Sequence, residues 1–230
     1  MLKKYGQPFV YKIIQPFINL LIKAKVTPNA ITTVGLVINL FATVILIIGA
    51  RFGERGDHRY VGIAGGVILL AGLFDMIDGR LAREANMSSK FGALYDSVLD
   101  RYSELIMFLG ICFYLVAHSY FMSSIFAFIA MIGSIMVSYT RARAEGLGVD
   151  CSVGWMQRPQ RILMVSISAI VCGIVSYIAP DKQTIIGFIN FEPISIFIGP
   201  LMLLAVMSNI TALRRLNHSK HELMKEEKET

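Results

Sequence analysis

Charge is scarce in this chain: only 17% of its 230 residues are Asp, Glu, Lys or Arg, against 55% hydrophobic. That balance excludes an ordinary soluble domain and a disordered polyelectrolyte, and fits one compact multi-span membrane domain. Cysteine occurs three times (Cys112, Cys151, Cys172) with no C-x-x-C pair. This argues against a disulfide framework or a zinc ribbon, and two of the three lie in apolar runs, as core residues do. The four histidines are scattered through loops and tail without ligand spacing. The single tryptophan, Trp155, and the tyrosines near span ends read as interface anchors. No zinc-finger, RRM or homeodomain pattern is present, so the net charge of +6 does not point to nucleic acid. The N-terminus M-L-K-K-Y-G-Q-P lacks the pattern of a cleaved signal peptide. No internal repeat is visible.

What is present is a series of apolar runs about as long as a bilayer requires, roughly 20 residues each. The predicted fold class is an all-α integral membrane protein of six transmembrane helices, preceded by an N-terminal amphipathic interfacial helix. The division reads 1–26 as a juxtamembrane amphipathic segment, 27–215 as a six-helix transmembrane domain and 216–230 as a charged cytoplasmic tail, frayed or disordered at its end. In the first segment Val10, Ile13, Ile14, Phe17, Leu20 and Leu21 recur at helical spacing among lysines, with Pro8 and Pro16 interrupting. Thr27-Pro28-Asn29 opens the first span as a helix start. Later spans are expected near 61–83, 91–117, 121–139, 162–178 and 193–213. Six crossings put both termini on one side, together with most of the Arg and Lys residues. The positive-inside rule makes that side cytoplasmic, in a cell (inner) membrane.

Against this apolar background stand four aspartates in two pairs, Asp75/Asp78 and Asp96/Asp100. Residues three or four apart share one helix face, so each pair points one way. Carboxylates in a membrane cost about 2.5–3.5 kcal/mol each on insertion scales, so four of them demand a cation or a wet cavity. Small residues (Gly79, Ala82, Gly92) share these faces and permit close approach of a helix or ligand. An all-carboxylate donor set suits Mg²⁺, Mn²⁺ or Ca²⁺. Two such ions about 3.5–4 Å apart would make a phosphoryl-transfer site. A divalent-cation transporter is the alternative class. It leaves the glycines, Arg83 and the arginines described below without a role.

The run D-x-x-D-G-x-x-A-R-x₈-G-x₃-D-x₃-D, matched at Asp75, Asp78, Gly79, Ala82, Arg83, Gly92, Asp96 and Asp100, resembles the signature of the CDP-alcohol phosphotransferase family. The T-P-N-x-I-T opening at Thr27–Thr32 and the six-span layout are similar to that family too. The resemblance implies an enzyme of phospholipid biosynthesis that binds CDP-diacylglycerol at the membrane surface. An alcohol attacks the lipid-side phosphorus and CMP leaves. It implies that Asp75, Asp78, Asp96 and Asp100 hold Mg²⁺ (or Mn²⁺), two ions in all, with Asp100 as general base. It further implies that Asn29, Thr32, Asp78, Gly79, Ala82, Arg83 and Gly92 cradle the nucleotide, and that the protein is a homodimer among membrane lipids.

Arg141 and Arg143 end the fourth span, and Arg158 and Arg161 begin the fifth. Clustered guanidiniums beside a metal site look like a receptor for a phosphorylated acceptor. The runs S-Y-T-R-A-R-A-E-G and R-P-Q-R resemble the inositol-phosphate branch of the family. This implies transfer to a phosphorylated polyol, inositol 1-phosphate, giving phosphatidylinositol phosphate. Arg141, Arg143, Arg158, Arg161 and Arg214 (or Arg215) would hold its phosphate. Glycerol 3-phosphate, as in phosphatidylglycerophosphate synthases, is the alternative acceptor. Glu104, one turn after Asp100, is expected to pair with an arginine of this pocket or to bond a neighbouring helix.

Overall fold

In the computed structural model, residues 14–178, 184–186, 189–190 and 192–229 are described. The chain is helical, as its apolar runs dictate. Residues 14–23 form α1, followed by α2 (Pro28–Phe52), α3 (Arg59–Glu84), α4 (Lys90–Ala117), α5 (Phe121–Glu145), α6 (Arg158–Ile178) and α7 (Ser195–Glu229). Two short antiparallel strands, β1 (Thr184–Ile186) and β2 (Ile189–Asn190), fall between α6 and α7 in the chain.

The helix starts follow local chemistry. Thr27 caps α2 by accepting from the Ala30 N–H at 3.3 Å, with Pro28 at the first helical position. Ser89 caps α4 by accepting from the Gly92 N–H at 2.9 Å. Among the described residues, five helices (α2, α3, α5, α6 and a stretch of α7) are long and apolar enough to cross a membrane. Asp96, Asp100, Arg101 and Glu104 keep α4 outside that set, although at 28 residues it is as long as its neighbours. Large side chains such as Phe41, Leu109 and Leu213 face outward, as a lipid-facing surface requires.

Packing closes into a ring. α2 packs on α3, α3 on α6, α6 on α7, α7 on α5, α5 on α4 and α4 back on α2. Phe108, Tyr114, Leu115, Phe197, Leu201 and Leu204 fill its centre. Where α3 crosses α6, Gly62 and Gly173 face each other so closely that a Cβ on Gly173 would lie 2.5 Å from the Gly62 Cα. Small residues at a crossing let two backbones meet. This contact holds the helix bearing Asp75 and Asp78 against the helix bearing Arg158 and Arg161.

The interfacial segment of the sequence reading lies partly outside the described residues: Val10, Ile13, Pro8 and the lysines before them fall in 1–13. Its described part, α1, seats Ile18 and Leu21 against Ile31, Ile77 and Leu81. Gln15 donates to Glu84 at 2.7 Å and also bonds Arg80. Helix α7 runs past the expected end of the last span, continuing to Glu229. Arg215 donates to the carbonyls of Val137 and Val153 at 2.6 and 2.8 Å, and Leu223 packs on the Ala144–Val149–Cys151 cluster. These contacts hold the extension in helical form. Gly154 adopts φ +101°, open to glycine, which brings the 151–157 loop against Thr211.

At the opposite end of the ring from the aspartates, histidines that looked scattered come together. His58 is fully buried; its Nδ1 lies 3.0 Å from the Tyr114 hydroxyl, and the Tyr114 ring stands 4.4 Å from that of His118. Burial first, and the neighbouring His118 second, push the His58 imidazole down to about 4.

Candidate functional site

The four aspartates sit where the ends of α3 and α4 meet α6. Gly92, Asp96, Asp100 and Glu104 are spaced by four and form one stripe of α4. Arg158, the first residue of α6, stands between the two acidic helices. Its Nη2 lies 2.6 Å from Asp75 Oδ2 and 2.8 Å from Asp100 Oδ1, while Nη1 donates to the Asp100 carbonyl at 2.8 Å. Asp78 is buried and accepts from the Thr32 hydroxyl at 2.8 Å, which ties α3 to the N-terminal part of α2.

Two cavities open on this centre. The first, about 210 Å³, is lined by Asn29, Thr32, Asp78, Gly79, Ala82, Arg83 and Gly92. All seven residues expected at the nucleotide are therefore gathered in one place. A Cβ on Gly92 would lie 3.0 Å from Ser89 Oγ and 3.4 Å from Asn29 Oδ1, so the missing side chain keeps this wall open. The second cavity, about 360 Å³, is lined by Asp96, Asp100, Arg141, Arg158, Arg161 and Arg215 among others. Asp96 and Ala93 line both cavities and form their common wall.

Not every expected arginine reaches the second cavity. Arg143 lies on the other side of α5, in a separate groove, because residues 141 and 143 are about 200° apart around a helix. Arg214 is exposed, and the adjacent Arg215 lines the cavity in its place. Arg161 is engaged from behind: Glu104 holds it in a bidentate pair at 2.8 and 2.9 Å, and the Met156 carbonyl accepts from its Nη1 at 2.8 Å. Arg101 and Glu145 also line the cavity and were not singled out in the sequence. Glu145 stands four residues after Arg141 and pairs with it at 2.7 Å, a spacing that could have signalled it.

Among the described residues no three Asp, Glu, His or Cys side chains stand together as a ready metal cluster. The donor set nevertheless suits a hard cation. Carboxylates from two helices already converge on one positive centre, the Arg158 guanidinium, and all four lie in the same end of the ring.

The family model for CDP-alcohol phosphatidyltransferase matches residues 25–212. A phosphatidylinositol phosphate synthase of Streptomyces avermitilis is 30% identical over 220 residues, covering 94% of this chain and 81% of the relative. The crystal structure of the Mycobacterium tuberculosis phosphatidylinositol phosphate synthase with CDP-DAG bound superposes with a TM-score of 0.72 at 26% identity, over 90% of this chain and 94% of that one. The structure of the same enzyme with manganese and citrate gives a TM-score of 0.70, at 26% identity over 89% of this chain and 87% of that one.

Proposed function

This chain belongs to the CDP-alcohol phosphatidyltransferase family, and we propose that it transfers the phosphatidyl group of CDP-diacylglycerol to inositol 1-phosphate, releasing CMP and forming phosphatidylinositol phosphate. The observation that carries the reading is the pair of adjoining cavities. One is lined by six of the eight signature residues (Asp78, Gly79, Ala82, Arg83, Gly92 and Asp96), and the other is rich in arginine and holds Asp100, with Asp96 lining both.

Residues of the smaller cavity hold cytidine and its phosphates: Gly79 and Gly92 admit the nucleotide, and Arg83 complements its charge. Arg141, Arg158 and Arg215 hold the phosphate of the acceptor. Arg161 acts with them, backed by Glu104, and keeps that wall rigid. Asp100 lines the acceptor cavity and takes the proton of the attacking hydroxyl. The acceptor oxygen bonds to the lipid-side phosphorus as the bond from that phosphorus to the CMP oxygen breaks. Asp75, Asp78, Asp96 and Asp100 would hold Mg²⁺ or Mn²⁺, two ions in all, whose bound charge offsets that on the pyrophosphate.

The same reading takes α2 to α7 as six crossings of the cell membrane, with α1 in the interface and the site at the cytoplasmic face. The basic residues gathered at the site's end support this orientation. It also takes the working unit as a homodimer.

An acceptor panel tests the activity. Purified protein, CDP-diacylglycerol and Mg²⁺ are given inositol 1-phosphate, free inositol, glycerol 3-phosphate or serine. CMP release is expected with inositol 1-phosphate and not with serine; turnover with serine alone overturns the assignment. Glycerol 3-phosphate, also a phosphorylated alcohol, is the second acceptor the arginines accommodate.

A further inference from the structure

The last turns of α5 present two faces. Arg141, Ala142 and Glu145 line the acceptor cavity, while Arg143 and Ala144, with Leu147 just beyond, line a groove of about 480 Å³ against the extension of α7. Leu216, Lys220, Leu223 and Met224 form its other wall. The groove shares no lining residue with either substrate cavity.

Three properties of this groove act together. It is apolar yet open: Leu147, Leu216 and Met224 are 46%, 60% and 46% exposed. Its charged lining residues are two cations, Arg143 and Lys220, with no acid beside them. The neighbouring Arg141 and Lys225 pair with Glu145 and Glu222 on their own helices, whereas Arg143 and Lys220 make no ion pair among the described residues. The groove also lies at the level where the crossing helices end, since Arg215, just before its α7 wall, bonds the Val137 carbonyl of α5. An apolar trough topped by two uncompensated cations at the end of a membrane-crossing helix complements a lipid with an anionic head.

We propose that this groove binds an anionic phospholipid of the surrounding membrane, its phosphate held by Arg143 and Lys220 and an acyl chain lying along Leu147, Leu216, Leu223 and Met224. This site is separate from the substrate cavities and does not depend on which alcohol the enzyme uses.

The test places the full chain in nanodiscs of equal phosphatidylcholine and phosphatidylglycerol, then counts the lipids each protein retains by native mass spectrometry. Wild type is expected to retain phosphatidylglycerol in preference to phosphatidylcholine. Each cation removed, in R143Q and K220Q, should weaken that retention about fivefold. R143K/K220R keeps both charges and should keep the lipid. K220Q alone, at an exposed position, carries the comparison if R143Q does not fold. Equal retention of the two lipids, or undiminished phosphatidylglycerol on K220Q and R143Q, overturns the proposal. So does an efficient crosslink between two copies through a photoreactive residue at Leu216, because a second copy would then cover the groove.

Discussion

Arg161 and Glu104 form a bidentate ion pair, at 2.8 and 2.9 Å, with side chains only 1% and 2% exposed. Both residues line the acceptor cavity, Glu104 one helical turn beyond Asp100. Removing one partner of a buried pair leaves an uncompensated charge, at a cost of about 3–5 kcal/mol. Glu104→Ala is therefore expected to lower the thermal unfolding midpoint strongly, read by scanning fluorimetry in detergent. The apolar double variant E104L/R161M should recover much of the stability without recovering use of the acceptor. Equal stability of Glu104→Ala and wild type would falsify the structural role.

Asp100 faces the acceptor cavity and shares Arg158 with Asp75. Asp100→Asn keeps the shape of the side chain but cannot accept the hydroxyl proton. CMP release should fall about 10²–10⁴-fold, the usual contribution of a positioned base. Binding of CDP-diacylglycerol, followed by retention in a filter assay, should change little. Near-normal turnover would assign the proton to another group.

Arg158 joins α6 to both acidic helices. Lysine cannot reproduce a guanidinium that reaches two carboxylates and a carbonyl at once. Arg158→Lys is expected to raise the KM for the phosphorylated acceptor about tenfold or more, with a smaller change in KM for the CDP-lipid. A uniform loss of kcat with both KM values intact would count against a role in holding the acceptor.

The crossing of Gly62 and Gly173 has no room for a methyl group: a Cβ at Gly62 would lie 2.8 Å from the Gly173 Cα. Gly173→Ala must push α6 away from α3, at about 1–3 kcal/mol. Because those helices carry Arg158 and Asp75, activity should fall along with stability. Gly66→Ala, on α3 four residues after Gly62 and with open space around it, is the control and should be close to neutral.

His58 predicts an acid response. Its folded value is depressed to about 4 from an ordinary 6.5, so the folded state favours the neutral ring. The unfolded chain then binds the proton first as pH falls. Stability is complete above pH 6.5 and declines between 6.5 and 4, by about 3 kcal/mol at most. Unfolding midpoints measured from pH 7.5 to 4 should show a shallower decline in His58→Gln than in wild type. Parallel curves would remove His58 as the cause.

The gathering of residues round the smaller cavity was readable because they follow helical spacing within two adjoining segments and one helix start. Asp78, Gly79 and Arg83 on α3, with Gly92 and Asp96 on α4, needed only to face one another. The acceptor side was harder. Periodicity says which residues share a face, not what that face meets, so Arg143 was grouped with Arg141 although the helix turns it away. Arg214 was preferred to Arg215 for the same reason: two adjacent arginines are indistinguishable until α7 is docked on α5. The pairing of Glu104 with Arg161 and the meeting of His58 with Tyr114 and His118 depend on contacts across 56 residues or more of chain. Helix α7 outlasted the expected boundary because Leu216 and Leu223 continue an apolar face through a stretch that looks merely charged.

Asp96, as the wall common to both cavities, has a pharmacological consequence. On the function proposed above, the two substrates lie either side of one carboxylate and can be imitated by one molecule. A cytidine group joined by a short linker to a phosphorylated cyclitol would span the partition and gain the binding of both halves, with the second held at high effective concentration by the first. Linker length, scanned atom by atom, would then act as a ruler for the distance between donor and acceptor in the working enzyme.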